Sequence, residues 1–367
     1  MSYALAAAAA ALLLTAVLTE LLRALALRWR HACAGLLDRP GAHKAHTLPT
    51  PHLGGVAVAA GTLAVTTSGQ WTGQAPPDPE VGTLLAVAAA VAVLGLLDDL
   101  RPLGPGARLI VETGAAGAVA YGSGLGLLTG ALAVLWIVFV TNAFNLLDNS
   151  DGAMGTVAAV TALGLAICAI TEGRTGLALL LCVLAAALTG FLLRNWHPAR
   201  IFLGDCGSLF TGFVLSSAAV LLHTGDTPAR TMGVLLAFTL VVTADTALVL
   251  VSRRRAGRRL LLGGTDHIAH RLQQLGLTVR GTAAVLGVTA FVGTVIGLLI
   301  HHAWLPPLVV LPMAVATLLA LGGLLRVPVY GVGGVGRPRR PTGPRRGRGR
   351  WTVGRPRAAR TIDAASR

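Results

Sequence analysis

Apolar residues run along this chain in long stretches. They neither alternate with the two-residue rhythm of a strand nor leave the broad polar stripe of a soluble amphipathic helix. The stretches fall at about 3–27, 53–72, 82–97, 107–121, 125–147, 153–171, 174–193, 206–223, 231–252, 281–301 and 304–325. Most approach the roughly 17–25 residues that a helix needs to cross the hydrocarbon of a bilayer. In that medium each backbone N–H and C=O must be satisfied within the segment, which a helix achieves. The pattern predicts an all-α, polytopic integral membrane protein with about eleven transmembrane helices. A transmembrane β-barrel would alternate lipid-facing and lumen-facing positions, and these stretches do not. The weakest of them are 107–121, which contains Glu112, and the closely spaced pair 153–171 and 174–193.

Composition agrees. Of 367 residues, 54% are apolar and only 12% are charged, about half the ~25% of a soluble domain. A soluble enzyme and a disordered chain are excluded. The four Cys, at 33, 168, 182 and 206, form no CxxC pair, so neither a disulfide framework nor a zinc site is expected.

Charge sets the orientation. Twenty-nine of the thirty basic residues are Arg, and the remaining one is Lys44. With eleven helices the loops alternate sides. One side and the C-terminal tail then carry 27 Lys and Arg, the other side only Arg174 and Arg230, with Arg23 at the end of the first helix. The positive-inside rule puts the basic side in the cytoplasm. The N-terminus is then outside, the C-terminus cytoplasmic, and the first segment a retained helix, because no base precedes it as in a signal peptide. Residues 1–325 form the membrane domain. Residues 326–367, rich in Arg, Gly and Pro, form a tail expected to be disordered and to lie on anionic headgroups rather than on nucleic acid.

The remaining polar residues cluster, and every cluster falls at the cytoplasmic end of a helix. They are Asp38 to His46 with Lys44; Asp98 and Asp99; Asn142 to Gly152 with Asn145, Asp148 and Asp151; Phe202 to Ser208 with Asp205; and Gly263 to Arg271 with His267 and His270. Ionisable groups near membrane depth are costly and mark function. An Asp-Asp pair or a GDxGS turn alone is as well read as a solvated helix end, and the two His as surface residues. Their shared placement on one face argues otherwise. Five carboxylates on that face (98, 99, 148, 151 and 205) call for a cation. Oxygen ligands point to Mg²⁺, with Mn²⁺ as the alternative, which takes one or two carboxylates and leaves other positions to phosphate and water. Acids, metal and a glycine-flanked helix start suited to an anion suggest phosphoryl-type transfer.

In order along the chain, DRPGAHKAHTLPTPHLGG, LLDDL, NAFNLLDNSDG, FLGDCGSLFTGF and GGTDHIAHRL resemble the motifs of the polyprenyl-phosphate N-acetylhexosamine-1-phosphate transferases, over about Asp38 to Leu275. The resemblance implies transfer of a sugar-1-phosphate from a UDP-amino-sugar to polyprenyl phosphate at the cytoplasmic leaflet of the cell membrane. UMP is released in this first membrane step of envelope glycan synthesis, and Mg²⁺ is required. It implies Asp205 as metal ligand, with Asp148 in the metal shell. Asp98, Asp99, Asp148, Asp151 and His267 become catalytic, and Lys44, Asn142, Asn145, His270 and Arg271 substrate-binding. The HIAHR sequence is closer to the N-acetylglucosamine-1-phosphate branch than to the three adjacent His of the phospho-N-acetylmuramoyl-pentapeptide branch, which is the alternative. Asn149 and Ser150 depart from the usual DGxDG. A homodimer is compatible with this reading. A secondary transporter is the distant alternative, but it would place its acids near the midplane within internal repeats, and no repeat is visible.

Overall fold

The computed structural model describes residues 2–29, 37–38, 50–73, 78–260 and 264–330. Met1–Val329 forms one compact unit, and of the tail only residues 326–330 are described. Lys44 and the segment around it, and the tail from residue 331 on, lie outside the described residues.

Every apolar stretch is helical. In chain order the helices are α1 (Ser2–Arg28), α2 (Gly54–Trp71), α3 (Pro79–Leu100), α4 (Pro105–Gly122), α5 (Leu127–Leu147), α6 (Ala153–Thr171), α7 (Thr175–Asn195), α8 (Gly204–Leu222), α9 (Pro228–Phe238), α10 (Leu240–Arg255), the short α11 (Ile268–Gln274), α12 (Val279–His301) and α13 (Val310–Leu324). A two-residue antiparallel ladder pairs Leu37 with Pro51 and Asp38 with Thr50. The helix starts follow local chemistry. Asp78 accepts from the N–H groups of Glu80 and Val81 ahead of Pro79, and Thr278 accepts from Gly281, so both occupy donors that a helix start leaves open.

Among the described residues, eight helices are long and apolar enough to cross a membrane, or up to nine if α9 and α10 count as one broken span. The other two of the eleven expected spans, α2 and α4, are 18-residue helices of more polar composition. α2 ends in Thr-Thr-Ser-Gly-Gln-Trp, and α4 carries Arg108, Glu112 and four Gly. The stretch 231–252, read as one helix, is bent by 78° at Thr239. Thr239 and Thr243 hydroxyls bond back to Leu235 and Thr239 carbonyls, a competition with the helical ladder that bends helices.

α8 is the central helix. Of its 19 residues, only Asp205 is not buried. α3, α5, α2 and α6 pack around it, with α7 joining α6 to α1. Two close approaches set these crossings. A Cβ on Gly55 of α2 would lie 2.1 Å from the Gly207 nitrogen, and one on Gly95 of α3 would lie 2.4 Å from the Asp205 carbonyl oxygen. Both obstacles are backbone, so neither can give way cheaply.

Gly95→Ala should therefore lower the melting temperature in detergent, with a cost of about 1–3 kcal/mol. Gly82→Ala in the same helix, where a Cβ meets open space, should be neutral or stabilising. Equal melting of the two variants would refute this packing argument.

Candidate active site

The first turn of α8 begins in the protein interior, where its free N–H groups need partners. Asp99, at the end of α3, supplies them. Its Oδ1 accepts from the Asp205 N–H at 2.9 Å and its Oδ2 from the Cys206 N–H at 3.0 Å. Gly204 makes the entry with φ of +73°, and a Cβ there would sit 2.7 Å from Asp99 Oδ2, so glycine is needed for both the left-handed backbone and the contact. The start of α2 docks on the same turn. Gly54 and Gly55 donate to the carbonyls of Phe202 and Leu203.

Asp205 projects from this turn into a cavity of about 550 Å³. Asn145 of α5 donates to its Oδ1 at 2.7 Å and also contacts Ser208 Oγ at 2.9 Å. Arg108 of α4 bridges two acids, reaching Asp98 Oδ2 at 2.7 Å and Asp205 Oδ2 at 3.2 Å. Asp99, Asn145, Asp148, Asp151, Asp205 and His270 all line the cavity. Asp151 is held by His197 Nδ1 at 2.7 Å and by the Ala199 N–H at 3.0 Å. Asp148, half-buried at the end of α5, is pushed up to about 7 by desolvation first, then by the charges of Asp205 and Asp99. Burial, then the neighbouring His267, holds the His270 imidazole below its ordinary value. Its Nδ1 and the Asn149 Oδ1 are buried without a protein partner.

Four of the expected residues stand elsewhere. Asp98 does not line the cavity; it accepts from Arg108 and from the Leu103 N–H. Asn142 donates to Glu112 of α4 and to the Val138 carbonyl. His267 is buried, with Nδ1 2.8 Å from Asp245 Oδ2, while Asp245 Oδ1 accepts from the Ile268 N–H at 2.7 Å. Arg271, 1% exposed, bonds the carbonyls of Asp266, Leu324 and Val327 and the Ser252 hydroxyl. Next to it Arg253 and Asp266 form a buried bidentate pair. In this geometry His267 and Arg271 fasten α11 to α10 and α13, and His270, Thr265 and Gln273 are what the segment presents to the cavity. Asp99, Asp148, Asp151 and Asp205 are brought together on the cavity wall.

Asn195, His197 and Gln273 of the wall belong to no motif in the sequence, and His52 and Phe202 lie within motifs without being singled out there. Arg108 was counted as a loop base. Asp245 and Glu112 had a signal, since each is an acid inside an apolar run. Asn195 ties the wall together, accepting from the Gly152 N–H and donating to the Ile201 carbonyl, both at 3.0 Å. The Gln273 amide donates to Ser150 Oγ at 3.1 Å, so the unusual Ser150 links the α5–α6 turn to α11.

Among the described residues, no three of His, Cys, Asp and Glu are placed to hold a metal ion by themselves. The donor set nonetheless fits Mg²⁺, which takes few carboxylates and completes its shell with phosphate oxygens and water. The charges of Asp205 and Asp99 are near enough to raise Asp148, and all three carboxylates supply only oxygen.

A model of glycosyl transferase family 4 matches residues 81–223. The chain is 48% identical over 361 residues to a Streptomyces coelicolor protein named as a glycosyltransferase, covering 96% of this chain and 84% of that protein. It is 30% identical over 327 residues to the decaprenyl-phosphate N-acetylglucosaminephosphotransferase of Mycolicibacterium smegmatis, covering 78% of each. To the phospho-N-acetylmuramoyl-pentapeptide-transferase of Moorella thermoacetica it is 33% identical over 250 residues, covering 61% of this chain and 76% of that one.

A carboxyl raised in the folded state contributes stability that is complete below its unfolded value, about 4, and lost as pH rises through the folded one. Without metal, Asp148→Asn should therefore melt increasingly above the wild type as pH is raised from about 5 to about 8. A difference that stays flat across that range would place the ionisation elsewhere.

Proposed function

The chain belongs to glycosyl transferase family 4, and on that premise we propose that it transfers N-acetylglucosamine-1-phosphate from a UDP-sugar to polyprenyl phosphate, releasing UMP at the cytoplasmic leaflet. The observation that carries the reading is one cavity at the helix ends, walled by four carboxylates, four amides and three histidines, with Arg108 behind Asp205.

Each part has chemical work in such a transfer. Asp205, with Asp148 beside it, would hold Mg²⁺. That ion supplies charge stabilisation to a diphosphate and its leaving group. The N-terminus of α8, steadied by Asp99, favours an anion. The aromatic rings of His52 and Phe202, edge to face at 5.5 Å, offer a surface on which a nucleobase can stack. Asn149 and His270 on the wall offer polar side chains to a sugar. A phosphate monoester has its second pKa near 6, so it needs little help from a base. Whatever proton remains is taken by a wall carboxylate, Asp99 or Asp148. Direct attack by the lipid phosphate puts fewer like charges in contact than attack by an Asp, and positioning with preorganised charge supplies most of the acceleration.

The orientation rests on the distribution of bases. Arg101, Arg194, Arg200 and Arg253–Arg255 stand at the helix ends nearest the cavity, Arg174 and Arg230 at the opposite ends. The positive-inside rule then faces the cavity to the cytoplasm. An engineered Cys at Asp78 should react with an impermeant thiol reagent added outside intact cells, and one at the exposed Ala256 should not; the opposite labelling would invert the topology.

The activity is tested with purified protein, Mg²⁺, undecaprenyl or decaprenyl phosphate and a panel of UDP-sugars. UMP should appear with UDP-N-acetylglucosamine and vanish with chelator. Asp205→Asn should abolish release while the protein still inserts and melts cooperatively. Release with only UDP-N-acetylmuramoyl-pentapeptide would move the chain to the other branch, and release with none would defeat the proposal.

A further inference from the structure

At the ends of the helices remote from the cavity lies a second group of titratable side chains that the transfer does not use. α6, α8 and α12 all start beside the cavity and end at this group, about 28 Å away for a 19-residue helix. His223 caps α8, His301 ends α12 and Glu172 caps α6. His223 and His301 are 3% and 5% exposed, whereas a third of the Glu172 side chain is open.

The geometry fixes the protons. The Ala219 carbonyl can only accept, so His223 Nδ1, 2.8 Å away, carries a hydrogen. In the neutral ring His223 Nε2 is then an acceptor, and His301 Nδ1 at 3.2 Å donates to it. That leaves His301 Nε2 with a bare lone pair. It faces Glu172 Oε1 at 3.7 Å, too far for a hydrogen bond. This is the open link in an otherwise continuous chain.

We propose that the Glu172–His301 junction is a proton-binding site. One proton taken there completes a one-directional relay from Glu172 through His301 and His223 to the Ala219 carbonyl, fastening the far ends of α6, α12 and α8. The proton comes from solvent through the open side of Glu172. Carried by the carboxyl, it donates to His301 Nε2, and one bound proton removes one negative charge.

The groups around the junction are accounted for. Arg230 of α9 donates to the His301 carbonyl and lies 3.6 Å from Asp226, so those two largely cancel. Arg174, before α7, donates to Glu80 of α3 and to the Leu221 carbonyl. His302 stacks edge-on to His301 and against Trp304. Desolvation, then Asp226, holds the Glu172 carboxyl above its ordinary value, and desolvation holds His223 below. This agrees with a proton shared at the Glu172 end and a neutral His223.

Infrared difference spectroscopy of the full chain in nanodiscs, titrated from alkaline to acid, tests the site. A carboxylic-acid C=O band should rise with a midpoint above the ordinary glutamate value, and Glu172→Gln should remove it while melting like the wild type, because the amide still donates to His301. His301→Leu should shift the midpoint of that band, as should His223→Leu to a smaller degree. If His301→Leu fails to fold, His302→Leu, which leaves the relay intact, must keep the wild-type midpoint while His223→Leu moves it. A Glu172 band at the ordinary glutamate midpoint, or one indifferent to both relay histidines, would overturn the proposal.

Discussion

The cavity depends on two hydrogen bonds that Asp99 accepts from the first turn of α8. A helix starting inside protein and bilayer cannot turn its free N–H groups to water, and leaving them unmet is expensive. Here the cap comes from another helix. That one carboxylate therefore satisfies α8 and fixes how α3 crosses it, with Gly95 one turn earlier on α3 making the same crossing by contact. Asp205 is the next residue along. Its position is inherited from the cap, and Asn145 and Arg108 then set the direction of its carboxylate. For the proposed transfer, a side chain that meets phosphate with little freedom is well placed on an element fixed this way.

The second wall is held differently. α11 has seven residues and no side-chain cap of its own, too short to persist alone. It is fastened from α10 by three buried links: Asp245 to His267 and the Ile268 N–H, Arg253 to Asp266, and Ser252 to Arg271. Each of these holds a charged side chain out of water, a cost repaid only by close hydrogen bonding and pairing. The segment's most distinctive residues are thus its fastenings, and the residues it offers to the cavity are the less conspicuous Thr265, His270 and Gln273.

This explains what the sequence could and could not reveal. Run length suffices to locate helices in a bilayer because hydrocarbon allows little else, and every apolar run did become helix. The wall acids were legible because an ionised group at a membrane helix end has few roles. What escaped depends on which way a side chain turns. His267 and His270 are three residues apart and chemically alike, yet one precedes the first turn of α11 and meets Asp245, while the other, a turn on, meets the cavity. Asp98 and Asp99 are adjacent, so they face different neighbours, and only Asp99 reaches the cap and the cavity. The bend at Thr239 was hidden because back-bonding threonines look unremarkable within an apolar run.

Arg108 shows how the charges at the cavity are balanced. Its guanidinium lies 2.7 Å from Asp98 and 3.2 Å from Asp205, and Asp98 is the more enclosed of the two, with 7% of its side chain exposed against 31%. A charge pair strengthens as its surroundings lose water, so Arg108 is committed chiefly to Asp98. Asp205 therefore keeps more of its charge free toward the cavity than its list of partners suggests. Asp98 contributes without touching the cavity, because it anchors the cation that would otherwise neutralise Asp205. The adjacent acids thus divide their labour: Asp99 builds the helix start that carries Asp205, and Asp98 keeps Arg108 from claiming it.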